Sequence, residues 1–408
     1  MATINNIPQG YKNSPVGIIP QEWEVKTFSE LGSTLSTNTL SRDMMNEESG
    51  YALNIHYGDV LVKYGEILNC SKINIPWINY EYAENNLGAQ LQDGDVVISD
   101  TAEDYSVGKV TELQGISNGK VFSGLHTIAY RPNKNIFSQR FLGYYFNSSI
   151  YRKQLYPLIQ GIKVCSISKS AISKTKLAIP PLAEQKKIAE ILCTWDDAIE
   201  KQSKLIEKLE LRKRGLMQRL LTGKTRLPGF TEPWKKIKLG EICNITTGRL
   251  DANAMVSNGE FPFFTCAKEV YKINNYSFDT EALLVSENGE YVGYVHYYKG
   301  KFNAYQRTYV LDGFICNIFY MYYALKQYLP KRIMRTKSNS NTPYIVKDTL
   351  FDMELLLPSG VEQELIAEVL TSADKEITIQ RKKLDSLRLQ KRGLMQQLLA
   401  GKTRVKVS

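Results

Sequence analysis

The sequence predicts an α+β protein: two tandem globular α+β units separated by two long helices that pair as an antiparallel coiled coil, with pseudo-two-fold symmetry. Three observations carry this reading. The segment Glu184–Arg226 recurs as Glu362–Arg404 at a constant offset of 178, without a gap and with more than half of the paired positions identical. Both copies bear a single apolar stripe whose steps alternate four and three, the heptad signature of a coiled-coil seam. The dissimilar text before each copy nevertheless follows one order of short strands, an aromatic helix and a basic stretch. A repeat of this kind dictates architecture.

The first stripe is Ile188, Leu192, Trp195, Ile199, Ile206, Leu209, Leu216 and Leu220; the second is Ile366, Leu370, Ala373, Ile377, Leu384, Leu387, Leu394 and Leu398. Gln202 and Lys213 interrupt the first, and Gln380 and Lys391 interrupt the second at matching places. Polar seam residues set register and partner at some cost in stability. The matched interruptions favour two seams that face each other; the alternative is two amphipathic helices, each serving its own domain core. At 1.5 Å per residue each helix is roughly 55–60 Å long.

The remaining chain falls into order around these helices. Residues 1–22 are rich in proline and glycine and read as a leader packed loosely on the first domain. Val60–Val62 and Val96–Ser99 read as strands, Phe122–Tyr130 as another, and Gln139–Leu158 as a helix. A basic, small-residue stretch from Gln160 to Lys176 leads to Leu177–Pro181 and the first long helix, with Gly223 as its C-cap. In the second half Leu283–Ser286 matches Val96–Ser99, and Ala304–Leu311 matches Ser123–Tyr130, which sets Arg307 opposite His126. Asn317–Tyr328 is the second aromatic helix and Lys331–Asn341 the second basic stretch. Ser359 and Glu362 form a capping box before the second long helix. The expected boundaries are 1–170 and 227–348 for the globular domains, with 171–226 and 349–408 for the helices.

Composition narrows the function classes. The chain has 408 residues and a formal charge of +10, which favours a polyanionic partner such as nucleic acid. Six cysteines, none in a C-x-x-C pair, indicate neither zinc nor a disulfide framework, so a reduced, cytoplasmic protein is expected. The N-terminus lacks an apolar signal region, and no run approaches the roughly 18 apolar residues of a membrane span.

Catalytic signatures are missing from the text. Thr222–Thr225 reads T-G-K-T, but Gln218 stands where a phosphate-binding loop requires glycine, as does Gln396 in the second copy. Asn341–Tyr344 differs by one residue from the N-P-P-Y loop of amino methyltransferases, but no glycine-rich cofactor loop accompanies it, and it reads instead as a turn before a strand. Glu24-Val25-Lys26 has no partner aspartate at nuclease spacing. His56, His126 and His296 form no sequence-local metal cluster.

With this layout the chain resembles the specificity (S) subunit of type I restriction–modification enzymes. The resemblance spans nearly the whole chain and is most specific at Pro180–Leu192 (P-P-L-A-E-Q-K-K-I-A-E-I-L) and at the K-R-G-L-M-Q-x-L-L-x-G-K-T-R ends of both helices. It implies that the units between the helices are target recognition domains, each reading one half of a split double-stranded DNA target. The helices would act as a spacer and scaffold. It also implies partners: modification (M) subunits, two of them, that methylate adenine with S-adenosylmethionine, and ATP-driven restriction (R) subunits. S-adenosylmethionine, ATP and magnesium are then expected on those partners, and no catalytic centre or metal on this chain. Ala373 in place of Trp195 breaks the exact equivalence of the two partner sites.

Arginine pairs with guanine, and asparagine or glutamine with adenine, through two hydrogen bonds each. The candidate DNA contacts are therefore Arg307 and Gln306, adjacent in what reads as an alternating strand, so that one of them faces outward. Arg307 has an alternative partner in Glu287 or Glu290. His126 is its counterpart, with a buried, hydrogen-bonded histidine as the alternative. Arg335, Lys337, Asn339 and Asn341 in the second basic stretch, and Lys163 and Lys169 in the first, suit phosphate and base-edge contact, against a solvated loop. Two other functions stay in view: a self-sufficient DNA methyltransferase or nuclease, and a coiled-coil scaffold without DNA specificity.

Overall fold

A computed structural model describes residues 7–116, 119–336 and 344–407. The chain divides into two compact units, 1–201 with 384–408, and 202–383. Each unit thus holds one globular domain and one segment of each long helix. The helices span Leu182–Leu220 and Gly360–Leu399, 39 and 40 residues. Both end on a glycine in the left-handed region, Gly223 (φ 67°) and Gly401 (φ 65°), where a side chain would be strained.

In the first unit a five-stranded sheet runs in the order Gly32–Leu35, Thr127–Pro132, Val96–Ser99, Val110–Gln114 and Ile67–Asn69, antiparallel except for its last pair. A four-stranded sheet built on Leu53–Ile55 accompanies it. The central strands Val96–Ser99 and Val110–Gln114 are buried throughout; the first is accordingly an apolar run closed by a serine, whereas the second buries Glu112 and Gln114 among its residues. The core gathers Phe28, Tyr130, Tyr145, Phe146 and Tyr151 with Ile188 and Leu192 of the first long helix and Met395, Leu398 and Leu399 of the second. The domain is therefore seated on both helix segments of its unit.

The second unit repeats the plan with a six-stranded sheet. Its order is Asn244–Thr247, Thr308–Asp312, Phe278–Ser286, Val295–Ala304, Phe261–Phe264 and Tyr271–Ile273. Its core joins Leu283, Val285, Leu311, Tyr320 and Leu325 to Met217, Leu220 and Leu221 of the first long helix and to Ile366 and Leu370 of the second. The helix segments run antiparallel within each unit. In the second unit Gln202 donates to the Gln380 side chain (2.8 Å), Lys213 pairs with Asp374 and Arg226 with Glu362; in the first, Glu184 pairs with Arg404 and Asp196 with Lys391, so rising numbers on one segment meet falling numbers on the other. Buried Ile206, Leu209, Ile377 and Leu384 continue the stripe, while Trp195, Ile199 and Leu387 are half-buried.

Several local expectations are corrected. Val60–Val62 is not a strand but the end of a short helix, Tyr57–Val62, capped by His56, whose Nδ1 accepts from Gly58 N (3.2 Å). Phe122–Tyr130 is two strands broken by a turn at Gly124–His126. Gln139–Leu158 divides at Ser148, whose hydroxyl caps the second piece. Ile318–Thr336 continues through Pro330, so the start of the second basic stretch is helix rather than loop; Leu329 and Ile333 hold it against the domain core. Residues 11–20 form a hairpin rather than a loose leader: Ile19 and Trp23 are buried, and Tyr11 Oη donates to Gly401 O (2.8 Å).

Candidate functional site

Two kinds of site occur twice, once per unit. The first lies where a central strand begins. In the first domain His126 ends the turn before Thr127–Pro132, and Asp100 directly follows Val96–Ser99; Asp100 N donates to His126 O (3.1 Å). In the second domain Arg307 ends the turn before Thr308–Asp312, Glu287 directly follows Phe278–Ser286, and Glu287 N donates to Arg307 O (3.0 Å). The same backbone clasp therefore presents a basic side chain beside a carboxylate in both domains.

The side chains complete the clasp differently. Arg307 Nη1 lies 3.3 Å from Glu287 Oε1 with half of its side chain (50%) exposed, so one face of the guanidinium is held and the other is open. Burial pushes the Glu287 carboxyl above its ordinary range, and Arg307 opposes that shift. The Glu287 pairing allowed for Arg307 is thus present, and it leaves donors free. His126 Nδ1 sits 3.3 Å from Thr101 Oγ1 and 3.6 Å from Asp100 Oδ1, and its ring stands edge-on to Tyr57 at 5.3 Å. His126 is exposed rather than buried, and at φ 56° it holds a left-handed conformation that non-glycine residues seldom adopt outside constrained turns.

Gln306 and Arg307 do not alternate on a strand as the sequence pattern implied. Both lie in the turn after Val295–Ala304 and both are exposed, because Gln306 N is drawn to Leu250 O (2.9 Å) and the ladder is interrupted. Lys163 lies exposed in the loop before Cys165–Ser166, and Lys169 opens the short helix Lys169–Ser173. Arg335 is exposed in the last turn of Ile318–Thr336. Lys337, Asn339 and Asn341 lie outside the described residues, as does most of Asn341–Tyr344. The structure brings His126 and Arg307 to equivalent places in their own domains.

The second duplicated site anchors each domain to its helix segments, and sequence reasoning missed it. In the first unit the buried Glu184 carboxylate (2% exposed) accepts from Trp23 Nε1 (2.9 Å) and from Arg404 Nε (2.8 Å) and Nη2 (3.1 Å). In the second, buried Glu362 (1% exposed) accepts from Trp234 Nε1 (3.0 Å) and from Arg226 Nε (2.7 Å) and Nη2 (2.8 Å). The capping box at Ser359 is accordingly half made: Ser359 Oγ accepts from Glu362 N (3.4 Å), but the Glu362 side chain goes to Arg226 and Trp234. The hydrogen bond that Arg226 donates to Glu362 holds its guanidinium above its ordinary range, and those that Arg404 donates to Glu184 and Glu22 do the same for Arg404.

About three turns further along, the Lys391 ammonium lies between Asp196 (2.6 Å) and Glu66 (3.0 Å) and over the Tyr144 ring, while Tyr144 Oη donates to Asp196 (2.5 Å). The second unit repeats this with Lys213 on Asp374, Tyr323 Oη donating to Asp374 (2.8 Å), and Lys213 over the Tyr323 ring. Burial works against the Lys391 charge, but Glu66 and Asp196 offset it and hold the ammonium above its usual range. Gln185 and Gln363 form a third pair. Each amide donates to the carbonyl of a preceding proline (2.8 Å) and accepts a backbone N–H from the domain, Ser138 in one case and Asn317 in the other. The polar seam positions Lys213 and Lys391 thus serve the domain seats. Their repetition in both copies was the available signal, but their partners are distant in sequence.

Among the described residues no group of three or more histidine, cysteine and carboxylate side chains is arranged to hold a metal ion, and no helix is long and apolar enough to cross a membrane. The Glu24–Lys26 pair is an exposed ion pair on an edge strand (2.9 Å).

Comparison with known proteins agrees with this duplicated plan. The putative type I restriction enzyme MjaX specificity subunit of Methanocaldococcus jannaschii is 25% identical over 98% of this chain and 97% of its own. The EcoDI specificity subunit of Escherichia coli is 40% identical over a shorter match, 38% of this chain and 34% of that protein. The crystal structure of a type I restriction–modification S subunit from M. genitalium shares the fold with a TM-score of 0.59 at 16% identity, over 98% of both chains. Residues 20–211 and 231–389 match the family described as the type I restriction modification DNA specificity domain. The chain belongs to the specificity subunit family of type I restriction–modification systems.

Proposed function

We propose that this chain is the sequence-specific DNA-binding subunit of a type I restriction–modification system, with one domain for each half of a bipartite target. The observation that carries the proposal is the pair of equivalent turns, each presenting a basic side chain, His126 or Arg307, on a domain anchored to the helices by the same Glu–Arg–Trp contact. Anchoring fixes where each reader points; the exposed donors then supply base contact, and surrounding lysines and arginines supply phosphate contact. The chain itself has no catalytic role. Methyl transfer, ATP use and cleavage belong to modification subunits, two per chain, and to restriction subunits, which bring S-adenosylmethionine, ATP and magnesium. The equivalence of the two helix–domain anchors supports two modification subunits. The cytoplasm is the compartment in which such a system meets DNA.

The test combines two measurements. The purified chain, incubated with DNA and labelled S-adenosylmethionine, transfers no methyl group; the complex with its modification subunits methylates one bipartite sequence. Turnover by the isolated chain would overturn the proposal in favour of a self-sufficient methyltransferase. Affinity for the target should also fall steeply with salt, with a log–log slope of about −0.9 per phosphate neutralised. A flat salt response would leave only a scaffold.

A further inference from the structure

The most exposed large apolar side chain among the described residues is Ile162, 96% accessible, in the first domain. It does not sit on a slack loop. Gln160 and Ser166 exchange backbone hydrogen bonds of 2.9 and 2.8 Å at the loop's base, and Cys165 is buried while pairing with Ala102. Gly161 makes the turn at φ 95°, where an added Cβ would lie 2.0 Å from Val164 O. The chain is therefore folded tightly so as to hold Ile162 and the exposed Val164 in water, with Lys163 between them. Exposing such a side chain forgoes the stabilisation that burial gives, and the tight turn keeps both aliphatic tips available to whatever meets this face.

What covers it is indicated by its neighbours. Val164 lines an open cleft of about 730 Å³ whose other walls include His56, Tyr57 and Thr101. Tyr57 and Thr101 both contact His126. Three acidic side chains also line the cleft: Asp59 is paired with Arg42 (2.6 Å), Asp104 accepts from Ser106 N (2.8 Å), and Glu103 is exposed at its rim. Burial pushes the His56 imidazole below its ordinary range, and because Nδ1 accepts from Gly58 N the other ring nitrogen, Nε2, carries the proton and is a donor. Two aliphatic tips flanking one lysine are too small an apolar area for a stable protein–protein core. They match a groove edge, where an aliphatic side chain recognises the thymine C5 methyl while a neighbouring lysine meets phosphate.

We propose that Ile162 is a specificity-determining residue of the first domain, an apolar finger that reads thymine in its half-site through the C5 methyl group. The proposal rests on the reading of the chain as a DNA-specificity subunit. The experiment uses the full chain assembled with its modification subunits and a duplex target selected from a random pool. Each first-half-site thymine is replaced in turn by deoxyuridine, which lacks only the methyl. Wild-type complex should lose a factor of roughly four at one thymine, the contribution of one buried carbon. Ile162→Ala should bind the natural duplex more weakly and no longer distinguish thymine from uracil there, whereas Ile162→Leu should retain the distinction. Second-half-site preference should be unchanged in all variants.

Equal thymine–uracil discrimination by wild type and Ile162→Ala overturns the assignment, and so does a first half-site without a methyl-dependent position. Unchanged DNA binding with weakened hold on the modification subunits also overturns it and gives the finger to a protein partner. If the wild-type complex selects no sequence at all, the specificity-subunit reading fails first and the assignment falls with it.

Discussion

A fragment ending at Arg226 should form a two-fold homodimer that rebuilds the first unit's contacts with a second copy of itself. In the intact chain the seat of the first domain is completed by Met395, Leu398, Leu399, Lys391 and Arg404 from the second helix. The corresponding first-helix residues are Met217, Leu220, Leu221, Lys213 and Arg226, identical in type at every one of these places. In a dimer Arg226 of one copy would therefore reach Glu184 of the other. Burying Met217, Leu220 and Leu221 is worth roughly 1.5–3 kcal/mol each, and the two-fold provides two such sites, so about 9–18 kcal/mol is set against an association cost of about 4–15 kcal/mol. A dissociation constant in the micromolar range, about 8 kcal/mol, falls within that span. Trp195 in place of Ala373 is the obstacle, since a slot shaped around alanine would have to admit an indole. Trp195→Ala should accordingly tighten the dimer, and Arg226→Ala should weaken it without unfolding the domain. Sedimentation across a concentration series checks both, and binding to inverted repeats of the first half-site checks the palindromic target. A fragment that stays monomeric at high micromolar concentration, or an Arg226→Ala fragment that dimerises as well as the parent, would refute the reasoning.

Three further outcomes follow from the geometry. Arg307→Ala should cost about 1–3 kcal/mol of binding, confined to one base position of the second half-site, as measured by competition among single-base variants; uniform weakening over all sequences would reassign Arg307 to phosphate. Glu184→Gln should lower the stability of the first unit by about 2–3 kcal/mol in urea unfolding. Breaking a buried pair costs more, but Arg404 is partly exposed and its share is screened. Hydrogen exchange in the second unit should be unaffected. Glu112 is fully buried at the start of Phe141–Asn147, accepting from Arg140 N and Gly143 N (2.9 Å), and burial pushes its carboxyl up to about 7. A carboxyl raised in the folded state stabilises below its unfolded pKa, near 4.5, and loses that contribution as pH rises through about 7. The first unit should therefore lose about 3 kcal/mol between those limits, and Glu112→Gln should flatten that pH dependence in unfolding midpoints.

The repeat by itself determined that there are two long helices, where they lie, and that the domains between them share a plan. Those features rest on periodicity and self-similarity, which are local or directly comparable along the chain. Val96–Ser99 was legible to the residue because a strand buried on both faces reads as a plain apolar run. Val60–Val62 was not, because a three-residue apolar run fits a strand or a helix, and the His56 cap decided for the helix. Gln306 and Arg307 read as strand because their neighbours alternate, but Leu250, far back in the chain, draws off Gln306 N and turns both outward. The anchors were beyond the sequence altogether. Lys213 and Lys391 were visible as breaks in a stripe, yet only folding sets Asp374 beside one and Asp196 and Glu66 beside the other. Glu184 and Glu362 looked like first-turn acids of two helices; their partners Arg404 and Arg226 stand 220 and 136 residues away. Sequence pattern specifies which face of an element is apolar, whereas the choice of partner for a buried charge is made by whichever distant segment the packed core brings within hydrogen-bond reach.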